Sequence, residues 1–286
     1  MFKLHNSLFT VLFLLFTTWN GFAQHSSMLY EISGNGLQSP SYLFGTQHMV
    51  PKDKFIFPKE LKAKIKVCKT IAFETDINPS LKEMMNLMHD MVLPNQLKLA
   101  QLMDSFRYSH LEKFILDTLQ MSATKWNYAQ ILRAFFLTSL VLEVAMDKTK
   151  SYELEIAKQG KKKNIVELES LEAQLNFIKA IDDTVFLYQI NSSMLAGTEK
   201  LTNTYLSFNL DSVQKLMTSE PGYEELNEKL IKNRNLNWIP KIETLIGQNS
   251  TLVAVGAGHL AGDYGLIALL RNKGYAIKPI SLLFKQ

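Results

Sequence analysis

The sequence predicts an α/β fold in which a central mixed, partly parallel sheet carries large helical insertions. Short apolar segments bounded by turn residues recur along the chain, and long stretches with helical periodicity separate them. The predicted helical stretches, 80–160 and 170–247, are expected to pack around the sheet. The predicted strands lie near 28–33, 42–46, 70–74, 164–168, 252–256 and 275–280.

The first part of the chain is predicted to form a β-hairpin, followed by a helical crossover to a further strand. Residues 28–32 alternate between apolar and polar, and the turn residues 33–36 are types that tolerate positive φ. A short amphipathic helix over 58–66 then leads to the apolar strand at 70–74. This order predicts that the strands at 42–46 and 70–74 pair in parallel through a right-handed crossover.

Three further segments are expected to be buried. The strand at 164–168 is apolar in the same way as the strand at 70–74, and the segment 131–146 is apolar nearly all round. Methionines and a histidine cluster at helical spacing nearer the start, which predicts core packing, with copper binding by sulfur and imidazole as the alternative. These residues are Met84, Met85, Met88, His89 and Met91.

Composition and the N-terminus limit the class of protein. The formal charge of +4, without a basic run interleaved with aromatics, gives no electrostatic basis for nucleic-acid binding. Residues 1–23 have the order of a secretory signal, with Lys3, an apolar run and a small-residue cleavage site ending at Ala23. We therefore expect a single domain over 24–286, periplasmic or secreted, with no stable membrane span after signal removal. An uncleaved membrane anchor is the alternative, although the apolar run is shorter than the roughly 18 residues that a spanning helix needs.

Two predicted strands run into the same small motif, a glycine followed three residues later by a histidine. The first box is Gly45-Thr46-Gln47-His48 and the second is Gly256-Ala257-Gly258-His259. With 13 glycines and 6 histidines in 286 residues, two such matches at strand ends exceed the chance expectation. The glycines at 45, 256 and 258 are expected to let the backbone turn sharply, because glycine tolerates positive φ and crowding. The two boxes are therefore expected to form two halves of one site.

Four predicted strands end in a side chain that can bind a metal or move a proton. In open α/β sheets ligands bind at the carboxyl ends of strands, so these side chains can meet although they are distant in sequence. Two imidazoles with one or two carboxylates suit a divalent ion such as Zn, Mn, Co or Fe, and ligating atoms on one ion lie roughly 3–4 Å apart. For each histidine taken alone, a structural ring bonded to the backbone is the alternative. The four side chains are His48, Glu74, Glu169 and His259.

These motifs resemble the TraB/GumN family, which includes the TIKI-type metalloproteases, in order along nearly the whole mature chain. The resemblance implies a metal-dependent, hydrolase-like site that uses both histidines and the first glutamate, with the arginine nearby. By direct match these residues are His48, His259, Glu74 and Arg234, and Glu169 follows as a further carboxylate. Family members often have Gly-Leu-Glu-Thr at 167–170, so Glu167 is expected to crowd that strand end. The matching segments are 29–36, 41–48, 72–74, 166–172, 234–238, 255–260 and 265–275.

The expected function is that of an exported metal-dependent hydrolase, with peptidase as the expected activity and a peptide or small molecule as substrate. Bound Zn, Mn or Co would lower the pKa of a water molecule and polarise the scissile carbonyl. Glu74 would ligate the ion or act as general base, and Arg234 would stabilise the oxyanion. Two alternatives stay open: a noncatalytic module that binds a peptide or a metal in the same pocket, and a structural Glu74–Arg234 ion pair. The chain has no His-Glu-x-x-His motif of the zincin type.

Overall fold

One mixed sheet organises the part of the chain that the computed structural model describes, residues 26–146, 148–187, 190–219 and 223–282. The predicted signal peptide lies outside these residues. A short ribbon beside the sheet pairs β3 (Val50–Pro51) with β5 (Thr149–Lys150). The strands of the sheet are β1 (Leu29–Ser33), β2 (Ser41–Thr46), β4 (Thr70–Phe73), β6 (Asn164–Glu167), β7 (Thr251–Gly256) and β8 (Ala276–Pro279).

The strands occur within one residue of their predicted limits, and their pairing confirms the α/β class with a mixed sheet. Their order is β6-β4-β7-β2-β1-β8. The strands β6, β4, β7 and β2 run parallel, whereas β1 pairs antiparallel with β2 and with β8. The predicted pairing of β2 with β4 is wrong, because β7 lies between them. This strand from the far end of the chain brings its own carboxyl end between those of β2 and β4.

Polar residues at the starts of many helices explain where these helices begin. A Ser, Asp or Asn side chain accepts a hydrogen bond from a backbone N–H in the first turn, at Ser80, Asp104, Ser122, Ser151, Ser170, Asn191 and Asn209. The helices before β6 are α1 (Lys59–Val67), α2 (Leu81–Asp90), α3 (Ser105–Lys113), α4 (Ala123–Ala129), α5 (Ala134–Met146) and α6 (Tyr152–Gln159). Those after it are α7 (Leu171–Lys179), α8 (Asp183–Leu187), α9 (Ser192–Leu206), α10 (Leu210–Thr218), α11 (Tyr223–Leu226), α12 (Asn233–Gln248) and α13 (Leu266–Asn272). Within the described ranges, no helix has both the length and the apolar character needed to cross a bilayer.

The buried apolar side chains form two clusters. The first comprises the sheet with α1, α6, the C-terminal part of α9, α10, α12 and α13. The second lies among helices within 93–144 and 181–195, joined by the partly buried Leu226 and Leu230. The expectation that all helices pack around the sheet is therefore wrong for the second group. These helices bury their apolar faces mainly against one another.

Three expectations of burial are also wrong. β6 is an edge strand with only β4 as a neighbour, and its residues are largely exposed. On α5 only one stripe is buried, Ala134, Leu137 and Val141, because the second cluster covers one side of the helix. On α2 no residue is buried, and the methionines at 84, 85 and 88 are exposed. The apolar residues at helical spacing predicted α2 and α5 correctly as helices, but they did not show which parts of the chain would pack against them.

Candidate functional site

The polar site lies where parallel strands end at one edge of the sheet. Glu74 directly follows β4, and His259 ends a short 3-10 turn, Ala257–His259, that follows β7. His48 lies two residues beyond β2. In the sheet register Thr46 is the partner of Gly256, so the ends of β2 and β7 are level with each other. The topology thus brings three distant segments to one edge.

The carboxylate of Glu74 is buried at the centre of this site. Its Oε1 accepts a hydrogen bond from the backbone N–H of Gly256 at 2.7 Å. Its Oε2 accepts from Nη2 of Arg234 at 2.5 Å and from Nε2 of Gln174 at 3.3 Å. Burial raises the pKa of Glu74, but the electrostatic effects of His259 and Arg234, with the Gly256 N–H, lower it to about 2. Glu74 is therefore ionised at neutral pH.

Arg234, on α12, connects the carboxylates of the site. Its Nε donates to Oε1 of Glu169 at 2.8 Å, and its Nη2 lies 2.6 Å from the same oxygen. Its Nη1 donates to the carbonyl of Leu230 and to Nε2 of His259, both at 3.2 Å. The other oxygen of Glu169 accepts from Nε1 of Trp238 at 3.0 Å. Burial raises the pKa of Glu169, so its charge depends on these partners.

The ring of His259 is buried and held in one tautomer. Its Nδ1 lies 2.7 Å from Oδ1 of Asn235, whose amide nitrogen donates to the carbonyls of His259 and Tyr264. Because Arg234 donates to Nε2, we assign the ring proton to Nδ1. Burial lowers the pKa of His259 to about 4, so the ring is neutral at neutral pH. Its Nε2 lies 3.7 Å from Oε1 of Glu74, a separation that suits two ligands of one ion.

His48 lies at the rim, apart from the buried cluster. Its side chain is 66% exposed, and its Nδ1 lies 2.9 Å from Oε1 of Glu153. The carboxylate of Glu153 raises the pKa of His48 to about 9. The charge of His48 in turn lowers the pKa values of Glu74 and His259, so the ring lies within electrostatic reach of both. In the described ranges no three His, Cys, Asp or Glu side chains are already arranged to hold a metal ion.

The buried residues nevertheless fit a divalent cation in charge and in donor type. In their ionised forms Glu74 and Glu169 carry two negative charges against the one positive charge of Arg234, while the ring of His259 is neutral. The cluster therefore has a net negative formal charge, which is costly to bury without compensation. Nitrogen and carboxylate oxygen are common zinc ligands. In addition, the Nδ1 atom of each box histidine faces a side-chain oxygen, as in most metal-binding histidines.

The glycines of the boxes serve close packing rather than unusual backbone angles. Gly45, Gly256 and Gly258 are not among the described residues with positive φ, so that part of the expectation is wrong. A Cβ atom on Gly45 would lie 3.1 Å from Cα of Ala257, and one on Gly256 would lie 3.2 Å from Oε1 of Glu74. Crowding explains glycine at both positions.

Several side chains that hold the site were missed from the sequence. Trp238 stands four residues after Arg234, and this helical spacing on one face was a usable signal. Asn235 lies in the matched segment 234–238 but was given no role, and Glu153 and Gln174, which lie outside the matched segments, are revealed only by their contacts. Glu167, which was expected to crowd the strand end, is half exposed and lies 3.9 Å from Nζ of Lys241. That expectation is wrong, because Glu167 does not enter the site.

Comparison with known proteins agrees with the motifs. Metalloprotease TIKI2 of Danio rerio is 24% identical over 317 aligned positions, which cover 88% of this chain and 61% of that protein. The chain thus spans about three fifths of the length of this curated relative. No solved structure matches the chain significantly. The model of the TraB/PrgY/gumN family matches residues 28–279. Because this match covers most of its length, the chain belongs to the TraB/PrgY/gumN family.

Proposed function

We propose that this chain is an exported, divalent-metal-dependent hydrolase and that peptides are its substrates. The observation that carries the proposal is the 3.7 Å separation of His259 Nε2 and Glu74 Oε1 inside a buried cluster of net negative formal charge. The relative named a metalloprotease supports peptide hydrolysis. In this proposal His48, Glu74 and His259 hold the ion, and Glu169 is the neighbouring carboxylate.

Two of the three proposed ligands, Glu74 and His259, already have the protonation state that this chemistry needs. A bound Zn, Mn or Co ion would lower the pKa of a water molecule and polarise a carbonyl group. Glu74 is ionised, so it can hold a cation, and its pKa of about 2 suits a ligand better than a general base. The neutral ring of His259 keeps a lone pair on Nε2. Glu74 and His259 thus need no change of protonation at neutral pH, whereas His48, with a pKa of about 9, must release a ring proton when an ion binds.

The role of Arg234 depends on exchanging one of its contacts. Its guanidinium has five N–H groups and makes five contacts with acceptor atoms, so an oxyanion must replace one of these partners. The replaceable partner is Nε2 of His259, because this nitrogen has a lone pair that other ligands can use. Once Nε2 is engaged elsewhere, an N–H of Nη1 becomes available to a developing oxyanion.

A noncatalytic module that binds a peptide or a metal in the same pocket is the second candidate. One observation favours it: Arg234 already contacts both buried carboxylates. Much of their charge is thus neutralised by the protein itself, as in a structural ion pair.

Metal analysis followed by a peptide-cleavage assay separates these candidates. We expect the purified mature chain to bind zinc, and to cleave a mixed peptide library in a way that a chelator abolishes. His259→Ala and Glu74→Gln should lose both properties. His89→Ala should keep them, because the side chain of His89 is 88% exposed on α2. Zinc binding without peptide cleavage would favour the binding module. If the chain neither bound zinc nor cleaved peptides, the hypothesis of a metal-dependent hydrolase would be contradicted.

The export part of the proposal is tested separately. Residues 1–23 predict that the protein isolated from its native host begins near Gln24. Mass spectrometry of the N-terminal peptide measures this directly. An intact Met1 on soluble cytosolic protein would contradict export.

A further inference from the structure

Glu153 is a buried carboxylate that its own helix does not require. It stands in the first turn of α6, where an acidic side chain is favourable even when fully solvated. The cap is supplied by Ser151, whose Oγ accepts from the N–H of Leu154 at 3.3 Å. Glu153 is nevertheless only 9% exposed. A carboxylate buried this far needs a partner outside the helix.

Its contacts show which partner this is. Oε2 accepts a hydrogen bond from Oγ of Ser151 at 2.6 Å. Oε1 has no aligned hydrogen bond, but it lies 2.9 Å from Nδ1 of His48 in a close ion pair. The buried hydroxyl of Thr46 also faces the carboxylate. One oxygen is thus fixed by the helix cap, and the other is left for the ring of His48.

The small ribbon explains why these two residues meet. Val50 of β3 pairs with Lys150 of β5, so the segments on either side of the ribbon run close together. His48 precedes Val50 by two residues, and Glu153 follows Lys150 by three. The backbone N–H of Tyr152 also bonds to the carbonyl of Gln47, at 3.4 Å. The backbone at both ends of the contact is therefore held in place.

We infer that Glu153 is a positioning residue of the site: it holds Nδ1 of His48 and leaves Nε2 as the ring nitrogen free for a ligand. Asn235 does the same for His259, through a side-chain oxygen 2.7 Å from Nδ1. The need is greater at His48, because an exposed ring has few other contacts to fix its orientation. The inference rests on the proposed function only where it concerns the metal.

A matched pair of variants tests this role in the full mature chain. Glu153→Gln keeps a side-chain oxygen, whereas Glu153→Met has a similar volume and no such acceptor. Calorimetry with zinc chloride should show about a 10–100-fold loss of affinity for Glu153→Met, and affinity close to that of the original chain for Glu153→Gln. Glu155→Met is the control, since Glu155 accepts from Gln159 on the same helix at 3.1 Å. It should bind zinc unchanged.

The orientation of the ring provides a second readout that does not depend on metal. In crystals of the metal-free protein, the ring of His48 should have one orientation in the original chain and in Glu153→Gln. It should be rotated or spread over several orientations in Glu153→Met. An unchanged ring in Glu153→Met overturns the inference, as does equal zinc affinity of the two variants in a chain that binds zinc. If the original chain binds no zinc but the ring moves as expected, the positioning role stands and the metal part of the proposed function fails.

Discussion

The two Gly-x-x-His boxes end neighbouring parallel strands, yet their histidines lie in opposite environments. His259 is 4% exposed and its Nδ1 bonds to the neutral amide of Asn235. His48 is mostly exposed and its Nδ1 faces the carboxylate of Glu153. Burial lowers the pKa of His259 to about 4, whereas Glu153 raises the pKa of His48 to about 9. One local motif thus yields a neutral ring and a cationic ring.

This difference shows what the motif controls. Glycine next to a strand end allows the neighbouring backbone to approach closely, which sets where the histidine leaves the sheet. The partner of the ring then comes from another part of the chain, from α12 for His259 and from α6 for His48. The partner and the degree of burial decide the charge of each ring.

The largest effect on stability is expected from removing the guanidinium of Arg234, which contacts the buried carboxylates beside the His259 box. Arg234→Met would leave Glu74 and Glu169 without their ion-pair partner in a buried site. We expect the free energy of unfolding to fall by about 3–5 kcal/mol, as measured by urea denaturation. Lys241→Met is a control on the same helix, because the side chain of Lys241 is 42% exposed. If the two variants were equally stable, the ion pairs of Arg234 with Glu74 and Glu169 would not stabilise the fold around the His259 box.

The pH dependence of stability should separate the two histidines in chelator-treated protein. The unfolded chain protonates residue 259 below about pH 6.5, but the folded chain does so only near pH 4, so His259 lowers stability as the pH falls through this range. His48 acts in the opposite direction: its stabilising contribution is complete below pH 6.5 and is lost as the pH rises toward 9. The effect of His259 is on the order of 3 kcal/mol. That of His48 is smaller, because solvent screens an exposed ring.

Variants assign each limb of this profile. His259→Gln should flatten the acid limb of the curve of unfolding free energy against pH between about pH 6.5 and 4.5, above the range in which Glu74 begins to be protonated in the unfolded chain. His48→Gln should flatten the alkaline limb between pH 6.5 and about 9. Urea denaturation at closely spaced pH values supplies both curves. If either variant flattened the other limb, the assignment of a neutral and a cationic ring would be wrong.

The smallest expected effects concern the glycines of the two boxes. A Cβ atom on Gly45 would lie 3.0 Å from Cδ1 of Leu260 and 3.1 Å from Cα of Ala257, and the backbone atom cannot easily move. Gly45→Ala should therefore cost about 1–3 kcal/mol in urea denaturation. A Cβ atom on Gly258 would lie 2.8 Å from Cε of Met217, the end of a flexible side chain. Gly258→Ala should cost less, and the reverse order would contradict this account of the boxes.

Local patterns in the sequence were sufficient to predict the strands, the fold class and the family. Strand limits were predictable because alternation, apolar runs and turn residues are local properties of the chain. The boxes and the carboxylates at strand ends were visible for the same reason. Because ligands gather at the carboxyl ends of parallel strands, the sequence also predicted that His48, Glu74, Glu169 and His259 would meet. Arg234 contacts the last three of these, whereas His48 lies at the rim beside Glu153.

Which elements became neighbours depended instead on packing between distant parts of the chain. The insertion of β7 between β2 and β4 joins residues about 180 positions apart, and no local pattern encodes such a choice. The same holds for the second apolar cluster and for the exposure of α2, which depend on what covers an apolar face. The contacts of His48 with Glu153 and of His259 with Asn235 also depend on packing between distant elements. The charge of each histidine therefore could not be predicted from the motif, because the burial of the ring and its hydrogen-bond partner set its pKa.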